Sequence, residues 1–204
     1  MSIKYFFLLL VSLVTFSCKS LTKDELDIVN RIGFDVKIVQ ELKRDIGSGF
    51  ERSYLAHGIS FKIPNDRFYQ IVNKYYGKYK SNGYLLYRSR IAFDQSEYDY
   101  LTVINSKDSL DVVRTMLTDG INYGLDNSAI LAKIREWHDQ YGFFVVGAGR
   151  DWLEGIFTYL PNNIDLLANE INNFCPDAVI QGTQLLGELK QLILEGRYIL
   201  LWWD

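Results

Sequence analysis

Large apolar residues alternate with polar ones along much of the first half of the chain, as they do in half-buried β-strands. One stretch breaks this alternation, because its apolar side chains recur every three or four residues and predict a helix over 65–79. The strands predicted in this half span 34–38, 58–63, 84–93 and 98–104, and two glycines mark a loop over 45–52.

The second half of the chain has a clearer helical period. Ile130, Ile134, Trp137 and Tyr141 recur at i, i+4, i+7 and i+11, which predicts one apolar stripe along a helix. Helices are predicted in this half over 106–118, 128–141, 163–175 and 183–195, and strands over 143–146, 153–160 and 198–203.

The order of these elements predicts an α+β fold. From Tyr98 onward, if two helices are set aside, the order is strand, helix, strand, strand, helix, strand. This order matches the ferredoxin-like split β-α-β-β-α-β arrangement, and a similar strand-helix-strand-strand unit precedes it. The strand-to-helix joints at Pro64 and Pro161 are alike, which indicates either a duplicated unit or the ordinary use of proline at helix starts.

The N-terminus has the three parts of a bacterial export signal. Lys4 supplies a positive charge, and residues 5–16 form an apolar run that is too short to span a bilayer. The run ends in Thr15-Phe16-Ser17-Cys18, which resembles a lipobox, where the cysteine is acylated and becomes the new N-terminus. We therefore predict a signal peptide at 1–17 and a lipoprotein attached through Cys18 to a bacterial membrane of the cell envelope. Simple secretion and an uncleaved anchor are the alternatives.

The mature chain divides into three predicted parts. Residues 18–33 hold the lipid attachment, a short tether and a first helix, because Thr22-Lys23-Asp24-Glu25 is a capping-box pattern and Gly33 can end the helix. Residues 34–104 form an N-terminal α+β part, and residues 105–204 form a C-terminal domain.

Charge and cysteine content exclude several classes of function. The chain carries a net charge of -3, and removal of residues 1–17 takes away only Lys4 among its charged side chains. The mature protein is therefore acidic, and no nucleic-acid partner is expected. His57 and His138 have no cysteine or acid nearby at metal-ligand spacing, so we expect no metal site and no cofactor. If Cys18 carries lipid, Cys175 has no partner for an intrachain disulfide.

A distinctive string occupies the C-terminal third: Ala168-Asn169-Glu170-Ile171, Phe174-Cys175-Pro176-Asp177, Gln181-Gly182 and Leu201-Trp202-Trp203-Asp204. Together with Pro161, it resembles the bacterial family catalogued as domain of unknown function 4253, over about residues 100–204. The resemblance implies a single α/β or α+β module and no particular reaction.

Cys175 admits two interpretations. A thiol beside Asp177, with His138 elsewhere in the chain, could act as a nucleophile and its base, which is the basis for an envelope hydrolase. However, Cys175 continues the apolar stripe of the helix predicted over 163–175, and this position favours a buried packing cysteine.

The end of the chain is the best candidate for a ligand site. Two tryptophans precede Asp204, which carries both a side-chain and a terminal carboxylate that could bind a cation or an arginine of a partner, or could sit in water. Asp177 could instead stop a helix, and Gln181 could belong to a turn. The candidate ligand-binding residues are Asp151, Asp177, Gln181, Trp203 and Asp204.

The sequence therefore predicts a lipid-anchored binding or interaction module, of which an immunity-type or inhibitory protein would be one form. A protein partner is expected in addition to the membrane. The alternatives are an envelope hydrolase that uses Cys175, Asp177 and His138, or a purely structural protein. The tyrosines at 75, 76, 79, 84 and 87 indicate either a binding face or packing around one helix.

Overall fold

A computed structural model describes residues 21–33, 35, 39–45, 53–91 and 98–204. They form one mixed sheet of seven strands with helices on both faces, so the predicted α+β fold is confirmed. The lipidation residue Cys18 and the signal peptide lie outside the described residues, as do almost all of the strand predicted at 34–38 and of the loop at 45–52. Within the described part of the chain, no helix is both long enough and apolar enough to cross a membrane.

The helices and strands follow the predicted order. The helices are α1 (Lys23–Ile32), α2 (Phe68–Ser81), α3 (Leu110–Met116), α4 (Asn127–Tyr141), α5 (Ile164–Phe174) and α6 (Leu186–Gly196). The strands are β1 (Val39–Asp45), β2 (Ser53–Pro64), β3 (Tyr84–Arg90), β4 (Tyr98–Asn105), β5 (Phe144–Ala148), β6 (Trp152–Ile156) and β7 (Tyr198–Trp202). Short 3-10 turns occupy Asn65–Arg67 and Ile121–Tyr123, and a π-helix occupies Ala178–Thr183.

Two helix starts show why the bounds fall where they do. At α1, the Thr22 hydroxyl accepts from the Glu25 backbone and the Glu25 carboxylate accepts from the Thr22 backbone, so the predicted capping box is confirmed. The helix predicted from residue 106 begins later, at Leu110, because the Asp108 carboxylate accepts from the Leu110 amide and holds a turn ahead of α3.

The sheet order is β1-β2-β4-β3-β5-β6-β7. A ferredoxin-like unit would place β4 beside β6 and β7, but β4 pairs with β2 and β3, so that arrangement is not confirmed. The two halves also differ in their pairing. In the first half β2 and β3 both run antiparallel to β4, which lies between them, whereas β6 and β7 pair directly with each other in the second half.

The two sheet faces carry separate cores. One core lies under α1 and α2 and includes Phe61, Phe68 and Leu101. The other lies under α3 to α6 and is centred on Trp137, whose ring meets those of Phe143 and Phe157 edge to face. Each face is therefore covered by its own helical layer, as the alternating strand pattern requires.

The two ends of the sheet are distinct, and the strand directions fix where the start of α1 and the end of β7 lie. Since β3 and β5 are parallel, Tyr84 and Phe144 begin their strands at the same end. Tyr84 donates to the Asp24 carboxylate at 3.0 Å, so the start of α1 lies at this end as well. The end of β7 lies at the opposite end, because β7 runs antiparallel to β6 and β6 antiparallel to β5.

A buried charged network joins the two halves of the sheet. Arg88 on β3 contacts Asp99 on β4 at 3.2 Å and Glu154 on β6 at 3.3 Å. Glu154 reaches Arg88 across β5, which is possible because Gly147 of β5 has no side chain, and a Cβ there would collide with the Glu154 carboxylate. Tyr198 donates to Glu154 at 2.6 Å. Burial raises the pKa of Glu154, while Arg88 and the Tyr198 hydroxyl oppose that rise.

We predict that Arg88→Met lowers the free energy of unfolding by about 3–5 kcal/mol at pH 7, because it removes the guanidinium that both buried carboxylates contact. The loss should shrink as the pH falls toward 5, since the pKa of Glu154 rises further without Arg88 and a proton then neutralises the carboxylate. Urea unfolding at both pH values measures this. Arg135→Met, at an exposed position on α4, is the control and should change stability by less than about 0.5 kcal/mol.

Gly155 offers a second test of the core. A Cβ at Gly155 would overlap the ring of Phe143, which is fully buried. Gly155→Ala should therefore destabilise the fold by about 1–3 kcal/mol in thermal or urea unfolding. Gly187→Ala on α6, where a Cβ meets no atom within 4 Å, should instead raise stability by about 0.5–1 kcal/mol. Equal effects of the two changes would contradict the packing.

Candidate functional site

Four of the five predicted ligand-binding residues lie together at the sheet end where β6 begins and β7 ends. The Trp203 amide donates to the Asp151 carbonyl at 2.9 Å, and the Asp204 amide donates to the Asp177 carboxylate at 3.0 Å. Gln181 is exposed on the π-helix, and no described hydrogen bond joins it to the other four. The chain terminus is thus held by its neighbours rather than frayed.

Trp203 connects this end of the sheet to two other elements. Its side chain is 2 % exposed, and its indole N–H donates to the Phe174 carbonyl at the end of α5 at 3.2 Å. The indole packs closely against Gly120, where a Cβ would approach the ring to 2.9 Å. Trp202 points to the other sheet face and is half-buried. One of the two terminal tryptophans, Trp203, therefore belongs to the core.

The loop over 117–125, which the sequence did not single out, forms one wall of the site. The Thr118 hydroxyl donates to the Gly149 carbonyl at 2.7 Å, and the Asp119 amide donates to the Arg150 carbonyl at 2.7 Å. The loop thereby presents Ile121 and Tyr123 outward, with 66 % and 39 % of their surface exposed. The only sequence signal for it is the pair of glycines that flank Ile121–Tyr123.

The carboxylates of the site divide into one that is buried and three that are at least partly exposed. Asp177 is 4 % exposed and accepts a hydrogen bond from the Asp204 amide. The Asp177 carboxylate, which faces the Tyr123 hydroxyl, is the main reason that the pKa of Tyr123 rises to about 12. Asp177 therefore links the loop to the terminus, whereas Asp119, Asp151 and Asp204 face outward.

The three outward carboxylates make this end of the sheet negative. Desolvation by the surrounding protein raises the pKa of Asp151, and the charges of Asp119 and Asp204 raise it further, against the opposing charge of Arg150. Arg150 lies 3.9 Å from Asp119, measured from Nε to the carboxylate. We call Asp119, Asp151 and Asp204, with the exposed side chains of Ile121 and Tyr123, the acidic surface.

The chemistry that this surface allows is ionic and apolar contact. Among the described residues, no group of three or more His, Cys, Asp or Glu side chains is arranged to hold a metal ion. Two exposed apolar side chains bordered by three carboxylates suit a partner that presents both apolar and cationic groups.

Cys175 belongs to the interior. Its side chain is fully buried, and its sulfur donates to the Trp202 carbonyl at 3.1 Å and accepts from the Trp202 amide at 3.2 Å. Burial raises the pKa of the thiol to about 11, so the prediction of a packing cysteine is confirmed. His138 lies exposed on α4 with Nδ1 2.9 Å from the Phe143 carbonyl, and no described contact joins it to Cys175.

We predict that native Cys175 resists iodoacetamide at pH 8 and reacts only after unfolding. Below pH 9 both folded and unfolded chains keep the thiol proton, but between pH 9 and about 11 only the folded chain keeps it. Stability should therefore fall over that window, by on the order of 2 kcal/mol from this residue. The same measurement on Cys175→Ala isolates the contribution of the thiol, because tyrosine ionisation affects both proteins equally. Parallel curves of stability against pH for the two proteins would contradict the prediction.

Comparison with known proteins identifies a family but no characterised relative. Searches among curated proteins and among solved structures found no match. Residues 100–204, just over half of the chain, match the model of the family described as Domain of unknown function (DUF4253). This segment begins in β4 and contains every residue of the acidic surface. The resemblance inferred from the C-terminal string is confirmed, and the chain belongs to the DUF4253 family.

Proposed function

We propose that this chain is a lipid-anchored binding protein of the bacterial cell envelope, and that its acidic surface recognises a basic segment of a protein partner. The observation that carries the proposal is the juxtaposition of Ile121 and Tyr123, both exposed, with the outward carboxylates of Asp119, Asp151 and Asp204.

The energetics favour a binding surface of this kind. Burying the exposed part of the Ile121 side chain against a partner contributes about 1–2 kcal/mol, and Tyr123, which is 39 % exposed, contributes about 1 kcal/mol. Each exposed carboxylate adds less than about 1 kcal/mol, and salt weakens it. Contact with the two apolar residues would therefore supply most of the affinity, while the carboxylates select a cationic partner and speed its approach.

The anchor places this surface well for capture of a partner. Cys18 precedes the helix cap Thr22 by four residues, a distance of at most about 14 Å even when fully extended. The start of α1 lies at one end of the sheet and the acidic surface at the other. A lipid on Cys18 would thus hold the acidic surface away from the bilayer.

Catalysis by the thiol has less support. A general base must lie within hydrogen-bond reach of its nucleophile, or one water away. Cys175 is enclosed and bonded to backbone groups of β7, while His138 is bonded to the Phe143 carbonyl on another element.

The proposal predicts that a photo-cross-linker at Ile121 captures a partner in intact cells. Benzoylphenylalanine at Leu166 is the matched control, because Ile121 and Leu166 each expose 66 % of their surface. A discrete cross-linked protein is expected from position 121 and not from position 166. Equal cross-linking at both positions would contradict a specific surface.

Charge variants test whether the carboxylates contribute to this capture. The triple variant D119N/D151N/D204N should lower the cross-linking yield roughly tenfold, since three rim charges are lost. The control D66N/D139N/E188Q, at exposed acids elsewhere, should leave it unchanged.

Mass spectrometry of the mature protein should find an acylated Cys18 at its N-terminus, and an unmodified N-terminus would remove the lipid part of the proposal.

A further inference from the structure

Helix α2 carries positive charge without any acid of its own. Lys74, Lys78 and Lys80 are all exposed, and the span Phe68–Ser81 contains no Asp or Glu. The ammonium groups of Lys74 and Lys80 lie over the rings of Tyr75 and Tyr76, at 5.0 Å and 5.7 Å from the ring centres. The ion pairs among the described residues do not involve these three lysines.

The lysines lie at the tethered end of the molecule. The last turn of α2 leads through Asn82 and Gly83 into Tyr84, the residue that bonds Asp24 at the start of α1. α1 and α2 also share one core on one face of the sheet, and the Tyr75 hydroxyl donates to the Arg31 carbonyl at 2.9 Å. The basic half of α2 is therefore in the same layer as α1 and at the same end of the sheet.

The acids of α1 are already engaged. Asp24 accepts from Tyr84, Glu25 closes the capping box, and Asp27 pairs with Arg31 at 2.7 Å. The acids of α1 are thus committed to partners on α1 and β3, which leaves the lysines of α2 available to an external anion.

We infer that the exposed face of α2 rests on an anionic phospholipid surface, an inference that depends on the lipid anchor of the proposed function. The short tether from Cys18 keeps the start of α1 within about 14 Å of the bilayer. The surface potential of an anionic membrane acts within a Debye length of about 8–10 Å. Each lysine near such a surface contributes roughly a fivefold gain in association. The contact orients the domain with its acidic surface away from the like-charged membrane.

Two helical glycines allow a matched test with attached probes. Gly77 on α2 and Gly187 on α6 each have no atom within 4 Å of an added Cβ, and they lie in opposite helical layers. The full-length lipoprotein carrying G77C or G187C is labelled with an environment-sensitive fluorophore, while the buried Cys175 does not compete. Each protein is reconstituted in vesicles of phosphatidylcholine alone or mixed with phosphatidylglycerol.

On phosphatidylglycerol vesicles, we expect acrylamide quenching of the probe at G77C to fall severalfold, with no change at G187C or on phosphatidylcholine alone. Adding K74Q/K78Q/K80Q to G77C should abolish this protection, whereas R114Q/R135Q/K190Q, which removes three cations from the opposite helical layer, should keep it. Protein that floats with the vesicles but shows equal quenching at both positions would overturn this inference alone. Failure to float with either vesicle would overturn the lipid anchor and the inference with it.

Discussion

The contact between Arg88 and Glu154 holds the two halves of the sheet in register. β3 and β5 meet in a single described parallel pair, Arg88 with Gly147, and the Arg88 side chain continues past that pair to Glu154 on β6. Burying these charges costs several kcal/mol per ion, which their mutual attraction and the Tyr198 hydrogen bond offset. The network therefore specifies which strands meet more than it adds to stability. It also ties the family segment to the rest of the chain, since Arg88 precedes residue 100 and Glu154 follows it.

The sequence was a good guide to elements and a poor one to their pairing. Helix α4 and the strand pair β5 and β6 follow from periodicity, because the period is a local property of the chain. The placement of β3 between β4 and β5 depends on contacts between residues far apart in sequence. Arg88 and Glu154 are 66 positions apart, and the sequence around each residue does not show that it faces a buried partner. The ferredoxin-like expectation rested on order alone and could not detect this.

The candidate site was predictable to the extent that its residues are unusual. Tryptophans at a chain end are ordered only where other residues hold them, which singles out Trp203 and Asp204. Asp177 belongs to the distinctive Phe174-Cys175-Pro176-Asp177 string. Sequence reasoning misses the loop over 117–125 because its role depends on the close packing of Trp203 against Gly120, a contact across 83 positions of sequence. The sequence offers Asp177 as a ligand candidate or a helix stop. In the structure it accepts from the Asp204 amide and faces the Tyr123 hydroxyl, and so it joins two surface segments.

The position of Cys175 bears on how much of the sheet edge at β7 is open to another strand. β7 is the last strand in the sheet order, and Trp202 directs both its amide and its carbonyl to the Cys175 sulfur rather than to β6. At most two residues of that strand, Tyr198 and Leu200, then keep outward backbone groups with which another strand could pair. So short a template is a weak start for edge-to-edge aggregation. Replacing the sulfur would release the Trp202 amide and carbonyl and lengthen the open edge by one residue.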